Sequence, residues 1–155
     1  MLTPVKQQKI RVRGGSFAII ASRYNARYVD AMLAAAESVL AKAGVKRVRV
    51  VRVPGAFEIP AVAARLALGR PPSTALICLG VILRGQTTHA QQIADAVSMA
   101  LAQLQIQHAL PVIHEVLLLE NEAQAVARCL DTQHNRGTEA AQTALEMARV
   151  MDSLD

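Results

Sequence analysis

The sequence is poor in aromatic residues and in cysteine. Aromatic side chains make up 3% of the 155 residues, tryptophan is absent, and the two cysteines are Cys78 and Cys129. A core of this composition has to be built from aliphatic side chains and alanine. The cysteines lie far apart without metal-ligand spacing, so we expect two buried thiols, no bound metal, and a reducing compartment, the cytoplasm.

Long apolar runs are missing as well. Charged or polar residues interrupt every apolar stretch before it reaches bilayer length, and residues 1–13 contain no apolar segment of a signal peptide. We therefore expect no membrane partner. With 52% hydrophobic and 19% charged residues, a disordered chain is excluded, and residues 1–155 are predicted to form one domain with residues 1–13 as a polar N-terminal arm.

The net charge of +5 is unevenly distributed along the chain. Residues 1–55 contain eleven lysines and arginines against two acids, whereas residues 56–155 contain six against ten. Such a balance first suggests nucleic acid. However, the basic residues at 46–52 alternate with valines and no aromatic side chains lie between them. We favour a solvated strand end, or a surface that meets the acidic half of another subunit, and expect no nucleic-acid partner.

Hydrophobic periodicity predicts strands that alternate with helices. Four short apolar or alternating runs are typical of strands: Phe17–Ala21, Lys46–Val53, Thr74–Leu79 and Pro111–Leu118. Each is followed by a stretch with helical spacing, and an extra helix follows Gly137. Asn25 and the Asn121-x-x-Gln124 pair are expected to cap two of these helices, and Lys9–Arg13 could add a short edge strand.

This alternation predicts an α/β fold, a three-layer α/β/α sandwich of flavodoxin-like type with a four-stranded parallel sheet and helices on both faces. Ligands of such sheets bind beyond the carboxyl ends of the strands. The segments that follow these ends are Ser22–Asn25, Pro54–Glu58, Gly80–His89 and the end of the fourth strand.

The segment Gly80–His89 (GVILRGQTTH) has the composition of a phosphate-binding loop. Gly85 allows close approach of the backbone to a ligand, and the next helix presents free N–H groups that favour an anion. His89 is the one side chain of this segment that exchanges a proton near neutral pH. Taken alone, the segment is more typical of a polar loop with a surface histidine than of a binding site.

Four motifs together resemble one enzyme family. They are SRYN at 22–25, VPGAFEIP at 53–60, GVILRGQTTH at 80–89 and NRGTEAA at 135–141, and the match runs in order from Phe17 to Met151. The chain resembles the 6,7-dimethyl-8-ribityllumazine synthases, which catalyse the penultimate step of riboflavin biosynthesis. This resemblance implies a cofactor-independent transferase that condenses 5-amino-6-(D-ribitylamino)uracil with 3,4-dihydroxy-2-butanone 4-phosphate and releases phosphate and water.

The resemblance also implies roles for individual residues. His89 matches the proton-transfer histidine of the family. Tyr24 matches the aromatic ring over the pyrimidine, Gln86, Thr87 and Arg128 match the phosphate-binding residues, and Glu58 is suited to accept hydrogen bonds from ribityl hydroxyls. The further substrate contacts implied by position are Ala56, Phe57, Val81, Ile82, Leu83, His114 and Arg136.

In this family the active site lies between subunits. The resemblance therefore implies that the fourth-strand end, Arg128 and Arg136 come from the adjacent chain of a homo-oligomer, either a pentamer or an icosahedral shell of twelve pentamers. It also suggests riboflavin synthase as a partner. Read without the family, Arg128 is one arginine on a helix near a polar break, and Glu58 is a first-turn acid that complements a helix dipole.

Several positions depart from the family pattern. The usual Pro-His-Phe-Asp is Thr-His-Ala-Gln at 88–91, and the usual Phe-Gly of the fourth strand is His114-Glu115. Leu118 replaces a common threonine, and Arg136 replaces a lysine. The pair at 114–115 leaves a second hypothesis open, a catalytically weakened paralogue that forms a shell or binds a lumazine or flavin. A receiver-like or nucleotide-binding module ranks last, because residues 22–25 provide neither an acidic cluster nor a glycine-rich loop.

Overall fold

The architecture is a four-stranded parallel sheet between two layers of helices. The computed structural model describes residues 2–155. The strands are Ser16–Ser22 (β1), Arg47–Val53 (β2), Ala75–Leu83 (β3) and Val112–Leu119 (β4), and their order across the sheet is β2-β1-β3-β4. All three pairings are parallel. This confirms the predicted fold class.

The helices connect the strands and cover both faces of the sheet. Their bounds are Ala26–Lys42 (α1), Ile59–Ala67 (α2), His89–His108 (α3), Glu122–Ala125 (α4) and Arg136–Asp152 (α5). A short 3-10 turn, Ala56–Glu58, precedes α2, and a π-helical turn, Val126–Leu130, continues α4. Helices α1 and α5 pack on one face and helices α2 and α3 on the other, which gives two separate hydrophobic cores.

The sequence explains why β1 and β3 are central. In β3 every residue from Ala75 to Ile82 is buried, and in β1 every residue from Phe17 to Ser22 is buried. Parallel strands covered on both faces need such continuous apolar runs, whereas β2, at the edge, alternates basic residues with valine. Apart from Phe17 and Tyr28, the core is aliphatic, as the scarcity of aromatic residues predicts.

Helices α1 and α5 approach each other unusually closely. A Cβ atom added at Gly137 would lie 1.9 Å from the carbonyl oxygen of Met32. Small buried residues continue this contact along α5, at Ala140, Ala141, Ala144 and Ala148. These alanines of α5 therefore lie where the backbones of the two helices approach each other.

Two sequence predictions need correction at the chain start and at β3. The predicted edge strand at Lys9–Arg13 is wrong, because this segment pairs with no strand and is held by isolated bonds such as Val12 N–H to Ala43 O at 3.3 Å. Strand β3 also runs to Leu83, four residues beyond the predicted end. Its extension pairs with β4 up to Leu119, so partner strands, and not local composition, set its length.

Among residues 2–155, no helix combines the length and the apolar character that crossing a bilayer requires.

Candidate functional site

A pocket of about 700 Å³ lies at the carboxyl ends of β1, β2 and β3, beside the first turns of α3. This is the position where open parallel sheets bind ligands. Its lining residues are Tyr24, Asn25, Gly55, Ala56, Phe57, Glu58, Val81, Ile82, Leu83, His89, Gln92, Ile93 and Ala96. Eight of the thirteen residues predicted for the site are among them: His89, Tyr24, Ala56, Phe57, Glu58, Val81, Ile82 and Leu83.

Two exposed aromatic rings flank this pocket. Tyr24 is 68% exposed and Phe57 is 60% exposed, although the whole chain contains only four aromatic side chains. Leaving such rings in water forgoes the stabilisation that their burial would provide. Their placement at one pocket is suited to stacking on a flat ligand.

The segment that contains Tyr24 is held by the end of β2. The backbone N–H of Tyr24 donates to Pro54 O at 3.0 Å. The guanidinium of Arg52 donates to the carbonyl oxygens of Ala21 and Ser22 at 3.2 and 2.9 Å, and it pairs with Asp30 of α1 at 2.7 Å. Hydrogen bonds therefore hold the backbone at Ala21, Ser22 and Tyr24, and the ring of Tyr24 projects from this fixed segment.

Gly55 allows Tyr24 and Glu58 to come together. Its backbone N–H donates to Glu58 Oε2 at 2.9 Å, which orients that carboxylate at the start of the 3-10 turn. A Cβ atom at position 55 would lie 2.8 Å from Tyr24 Cδ2 and 3.0 Å from Glu58 Oε2. Any side chain at position 55 would therefore displace the ring, the carboxylate or both.

Asn25 does not act as the predicted side-chain cap of α1. It occupies the cap position in the left-handed conformation, with φ of 59°, and its side chain makes no capping bond. Its Nδ2 instead donates to Val81 O at 2.7 Å, which ties β1 to the end of β3. Asparagine tolerates this conformation better than most residues. A capping bond would be accepted by Oδ1, but the bond that Nδ2 donates to a distant carbonyl holds the amide in another orientation.

The segment 85–89 connects β3 to α3 and is exposed to solvent. His89 is the first residue of α3 and faces the pocket, as predicted, while Gln86 and Thr87 are exposed and do not line it. Thr87 Oγ1 accepts a bond from the His89 N–H at 3.3 Å. Thr88 occupies the cap position of α3 without a side-chain capping bond.

The remaining three predicted residues lie away from the pocket in the single chain. His114 Nε2 lies 2.7 Å from Ser98 Oγ on α3. Arg128, in the π-helical turn, is half-buried and contacts Gln124 O at 3.5 Å. Arg136, the first residue of α5, forms an ion pair with Glu139. One chain therefore does not bring these residues to the ring, carboxylate and imidazole of the pocket.

Glu115 lies on the opposite face of β4 from His114, near the start of α5. Burial raises the pKa of its carboxyl to about 7, the nearby Arg136 opposes that shift, and Glu139 adds to it. Burial likewise raises the pKa of the Cys78 thiol to about 12 and that of Cys129 to about 11. Both thiols are free and protonated at neutral pH, so neither is an available nucleophile. Within residues 2–155, no group of three or more His, Cys, Asp or Glu could hold a metal ion.

Five pocket residues were not among the predicted site residues: Asn25, Gly55, Gln92, Ile93 and Ala96. The last three follow His89 at intervals of three, four and seven residues, which places them on its face of α3. This periodicity was available in the sequence once His89 was assigned to the helix start. The importance of Asn25 and Gly55 depends on contacts between segments that are distant in the chain.

Comparison with known proteins agrees with the architecture. The profile of the 6,7-dimethyl-8-ribityllumazine synthase family matches residues 14–152. The chain is 41% identical over 140 residues to the 6,7-dimethyl-8-ribityllumazine synthase of Stenotrophomonas maltophilia (strain R551-3), covering 89% of this chain and 90% of that protein. It is 41% identical over 147 residues to the enzyme of the same name from Xanthomonas campestris pv. campestris (strain B100), covering 94% and 95%. By both measures, the chain belongs to the 6,7-dimethyl-8-ribityllumazine synthase family.

Proposed function

We propose that this protein condenses 5-amino-6-(D-ribitylamino)uracil with 3,4-dihydroxy-2-butanone 4-phosphate to form 6,7-dimethyl-8-ribityllumazine. The observation that carries this proposal is the convergence of two exposed rings, Tyr24 and Phe57, with the Glu58 carboxylate and the His89 imidazole at one pocket. The ring pair suits a flat pyrimidine, the carboxylate suits ribityl hydroxyls, and the imidazole suits proton transfer.

The reaction needs positioning and proton movement. The 5-amino group attacks the ketone carbon and a first water leaves to form an imine. Elimination of phosphate then gives an enol that tautomerises to a second ketone, and the ribitylamino nitrogen attacks this ketone and closes the ring with loss of a second water. Each step requires a proton to be added or removed at nitrogen or oxygen. His89 is the proposed group for these transfers, because it is the one histidine at the pocket and is open to solvent.

The pocket provides separate binding groups for the two ends of the aminouracil. Glu58 Oε2 is occupied by the Gly55 N–H, which leaves the other carboxylate oxygen for ribityl hydroxyls. Val81, Ile82 and Leu83 line the pocket at the end of β3, where their backbone groups are proposed to bond the uracil edge. The bond from Asn25 to Val81 O supports a fixed geometry there.

We propose that the phosphate of the second substrate is bound between Gln86 and Thr87 of one subunit and Arg128 of the next. The exposed N-terminus of α3 at Thr88–His89 favours an anion beside these side chains. Arg128 does not reach the pocket of its own chain, and a second subunit would supply the missing cation.

The exposed face of α3 supports self-association. Ala96, Met99, Gln103 and Ile106 form one exposed stripe, in which Met99 is 74% and Ile106 is 80% exposed. Their spacing follows the heptad pattern of packed helices, and large apolar side chains on one helix face are typical of interfaces. We propose a homo-oligomer; the pentamer, and a shell of twelve pentamers, follow from the resemblance. Native mass spectrometry of the purified protein distinguishes these two assemblies from a monomer.

We place the protein in the cytoplasm, with riboflavin synthase as a proposed partner. The two free thiols, Cys78 and Cys129, support a reducing compartment. The riboflavin synthase assignment rests on the resemblance, because that enzyme uses the lumazine. Co-elution of purified riboflavin synthase with the assembly tests it.

The activity is tested with purified protein and both substrates, by the appearance of the lumazine chromophore. His89→Ala is expected to slow the reaction by about 10²–10⁴-fold, because it removes the proton-transfer group. His108→Ala, at the other end of α3, is the matched control and should keep wild-type activity. An assembled particle without chromophore formation would favour the weakened paralogue instead.

The phosphate assignment has its own test. Arg128→Ala is expected to raise the KM for the butanone phosphate at least about tenfold and to leave the KM for the aminouracil nearly unchanged, because a charge-assisted bond to phosphate is lost. Arg128→Lys should recover part of the affinity, since it keeps the charge without the two parallel bonds. An unchanged KM for the phosphate substrate in Arg128→Ala would refute this assignment.

A further inference from the structure

Strand β4 lies at one edge of the sheet, and no strand within residues 2–155 pairs with its outer side. On the inner side, Leu76 N–H of β3 donates to Pro111 O at 2.9 Å, and Arg84 N–H, directly after β3, donates to Leu119 O at 2.8 Å. Odd-numbered residues of this segment therefore bond with β3. In a parallel ladder the alternate residues point their N–H groups the other way. The N–H groups of Val112, His114, Val116 and Leu118 consequently face away from the sheet.

Side chains of the same chain occupy the outward N–H groups at regular intervals. Val112 N–H donates to Gln105 Oε1 at 3.0 Å, and Val116 N–H donates to His114 Nδ1 at 3.1 Å. Just beyond the strand, Glu120 N–H donates to Gln124 Oε1 at 2.9 Å. Every fourth residue along this edge is thus capped. Unpaired strand edges are the usual template for unwanted pairing with other strands, and capping removes that template.

His114 differs from the two glutamines because it titrates. The backbone N–H of Val116 is always a donor, so Nδ1 of His114 must carry a lone pair and no proton. In the neutral ring the proton is then on Nε2, which donates to Ser98 Oγ at 2.7 Å. Protonation would place an N–H of the ring against the N–H of Val116 and abolish that bond.

We propose that neutral His114, positioned by Ser98, closes the outer edge of β4, and that protonation of its ring opens this edge at Val116. This role needs no bound substrate and stands apart from the proposed activity. It also gives a reason for histidine at position 114, where the family resemblance implies phenylalanine, since a phenyl ring accepts no bond from Val116.

The surroundings of His114 are compatible with a neutral ring. Partial burial lowers the pKa of His114 below its ordinary value, and a backbone hydrogen bond at His114 opposes that shift, so the edge is closed at neutral pH and opens in acid. The titratable groups of α3 are His89, Asp95 and His108, and Asp95 already accepts a bond from Gln91 at 2.8 Å. Cys78, the register partner of His114 in β3, has a neutral thiol, and Glu115 lies on the other face.

Hydrogen exchange of the assembled protein tests the proposal. Exchange of the Val116 amide is followed by mass spectrometry between pH 8 and pH 5 and expressed as a protection factor, corrected for the intrinsic rate at each pH. We expect protection at Val116 to fall about tenfold or more in acid, because one hydrogen bond is lost. Protection at Val112, which is capped by Gln105, should stay constant.

Three variants separate this role from general loosening of the strand. His114→Asn keeps an acceptor for the N–H two residues later and does not titrate, so Val116 should stay protected at all pH values. His114→Phe should leave Val116 unprotected at all pH values. Ser98→Ala removes the acceptor for Nε2–H, so protection at Val116 should fall already at pH 8.

A spectroscopic readout completes the test. Solid-state NMR of protein with ¹⁵N-labelled histidine should show His114 with an unprotonated Nδ1 and a protonated Nε2 at pH 8. The opposite tautomer would overturn the proposal. It would also be overturned by wild-type protection at Val116 that does not change with pH, or by an equal loss of protection in His114→Asn.

Discussion

At the scale of single residues, Glu115 makes the stability of the protein depend on pH. Its carboxyl is half-buried, and burial raises its pKa from 4.5 to about 7. Between pH 4.5 and about pH 7, the folded state therefore keeps a proton that the unfolded state has already released. The stability associated with that proton is complete below pH 4.5 and is lost as the pH rises through about 7.

We predict that Glu115→Gln raises the free energy of unfolding at pH 8 by about 1–2 kcal/mol, because it removes the cost of a buried charge. The gain should vanish below pH 4.5, where both side chains are neutral. Denaturant unfolding of variant and wild type at equal protein concentration measures the difference. The control is Glu120→Gln, an exposed residue that pairs with Arg84 and should change stability little. A lower stability of Glu115→Gln at pH 8 would show that the carboxylate contributes to stability through its attraction to Arg136.

At the scale of secondary-structure elements, the α1–α5 contact depends on Gly137. The first turn of α5 lies so close to α1 that a Cβ at position 137 would overlap the carbonyl oxygen of Met32. Asn135 holds the same junction, because it caps α5 through a bond from Gly137 N–H at 2.8 Å and donates to Cys129 O at 2.7 Å. The start of α5 consequently has no room to move outward without losing these bonds.

We predict that Gly137→Ala destabilises the fold by roughly 3 kcal/mol or more, because overpacking against backbone forces the helices apart. Thr143→Ala, on the exposed side of the same helix, is the matched control and should change stability by less than about 0.5 kcal/mol. Thermal unfolding of the three proteins at one concentration measures the effect. Equal melting temperatures for Gly137→Ala and wild type would mean that the two helices shift at no cost.

At the scale of the whole molecule, the proposed site is divided between subunits. The pocket contains His89 of its own chain, whereas Arg128 lies outside it. If each complete site takes His89 from one subunit and Arg128 from the next, a chain that lacks one of these residues can still contribute the other. A mixture of two inactive variants then restores some complete sites.

We predict that co-assembly of His89→Ala and Arg128→Ala subunits restores activity. In a random one-to-one assembly about one quarter of the sites would contain both native residues. The rate of lumazine formation by the refolded mixture is compared with the rates of the two separate variants under identical conditions. Mixing without co-assembly is the control and should give the average of the two low rates. The same average after co-assembly would place both residues in one chain's site.

Much of the architecture was predictable from neighbours in the chain. The apolar run around Ile19 predicted a buried strand, and the alternation of basic residues with Val48 and Val50 predicted a strand with one solvated face, because both patterns depend on local burial. Pro60 falls in the first turn of α2, where its missing N–H costs nothing. Eight of the predicted site residues also line one pocket, since parallel strands place their carboxyl ends at one edge.

The wrong predictions share a physical cause. Asparagine is a residue type that commonly caps helices, yet the side-chain amide of Asn25 bonds to Val81 on another strand. Lys9–Arg13 has the composition of an edge strand, yet it pairs with no strand. In each case the hydrogen-bond partners are far away in the sequence. The free energy of such tertiary contacts exceeds that of local propensity, so local propensity does not decide the outcome.

The amino-acid pattern was sufficient to predict the order and type of the elements, the aliphatic core and the family to which the chain belongs. The contacts between those elements are visible in the folded chain alone: Gly137 touches Met32, Gly55 leaves room for Tyr24, and His114 is held between Ser98 and Val116. The reason is that periodicity and propensity act between residues close along the chain. Packing and hydrogen bonding act between residues close in space, which only the folded chain brings together.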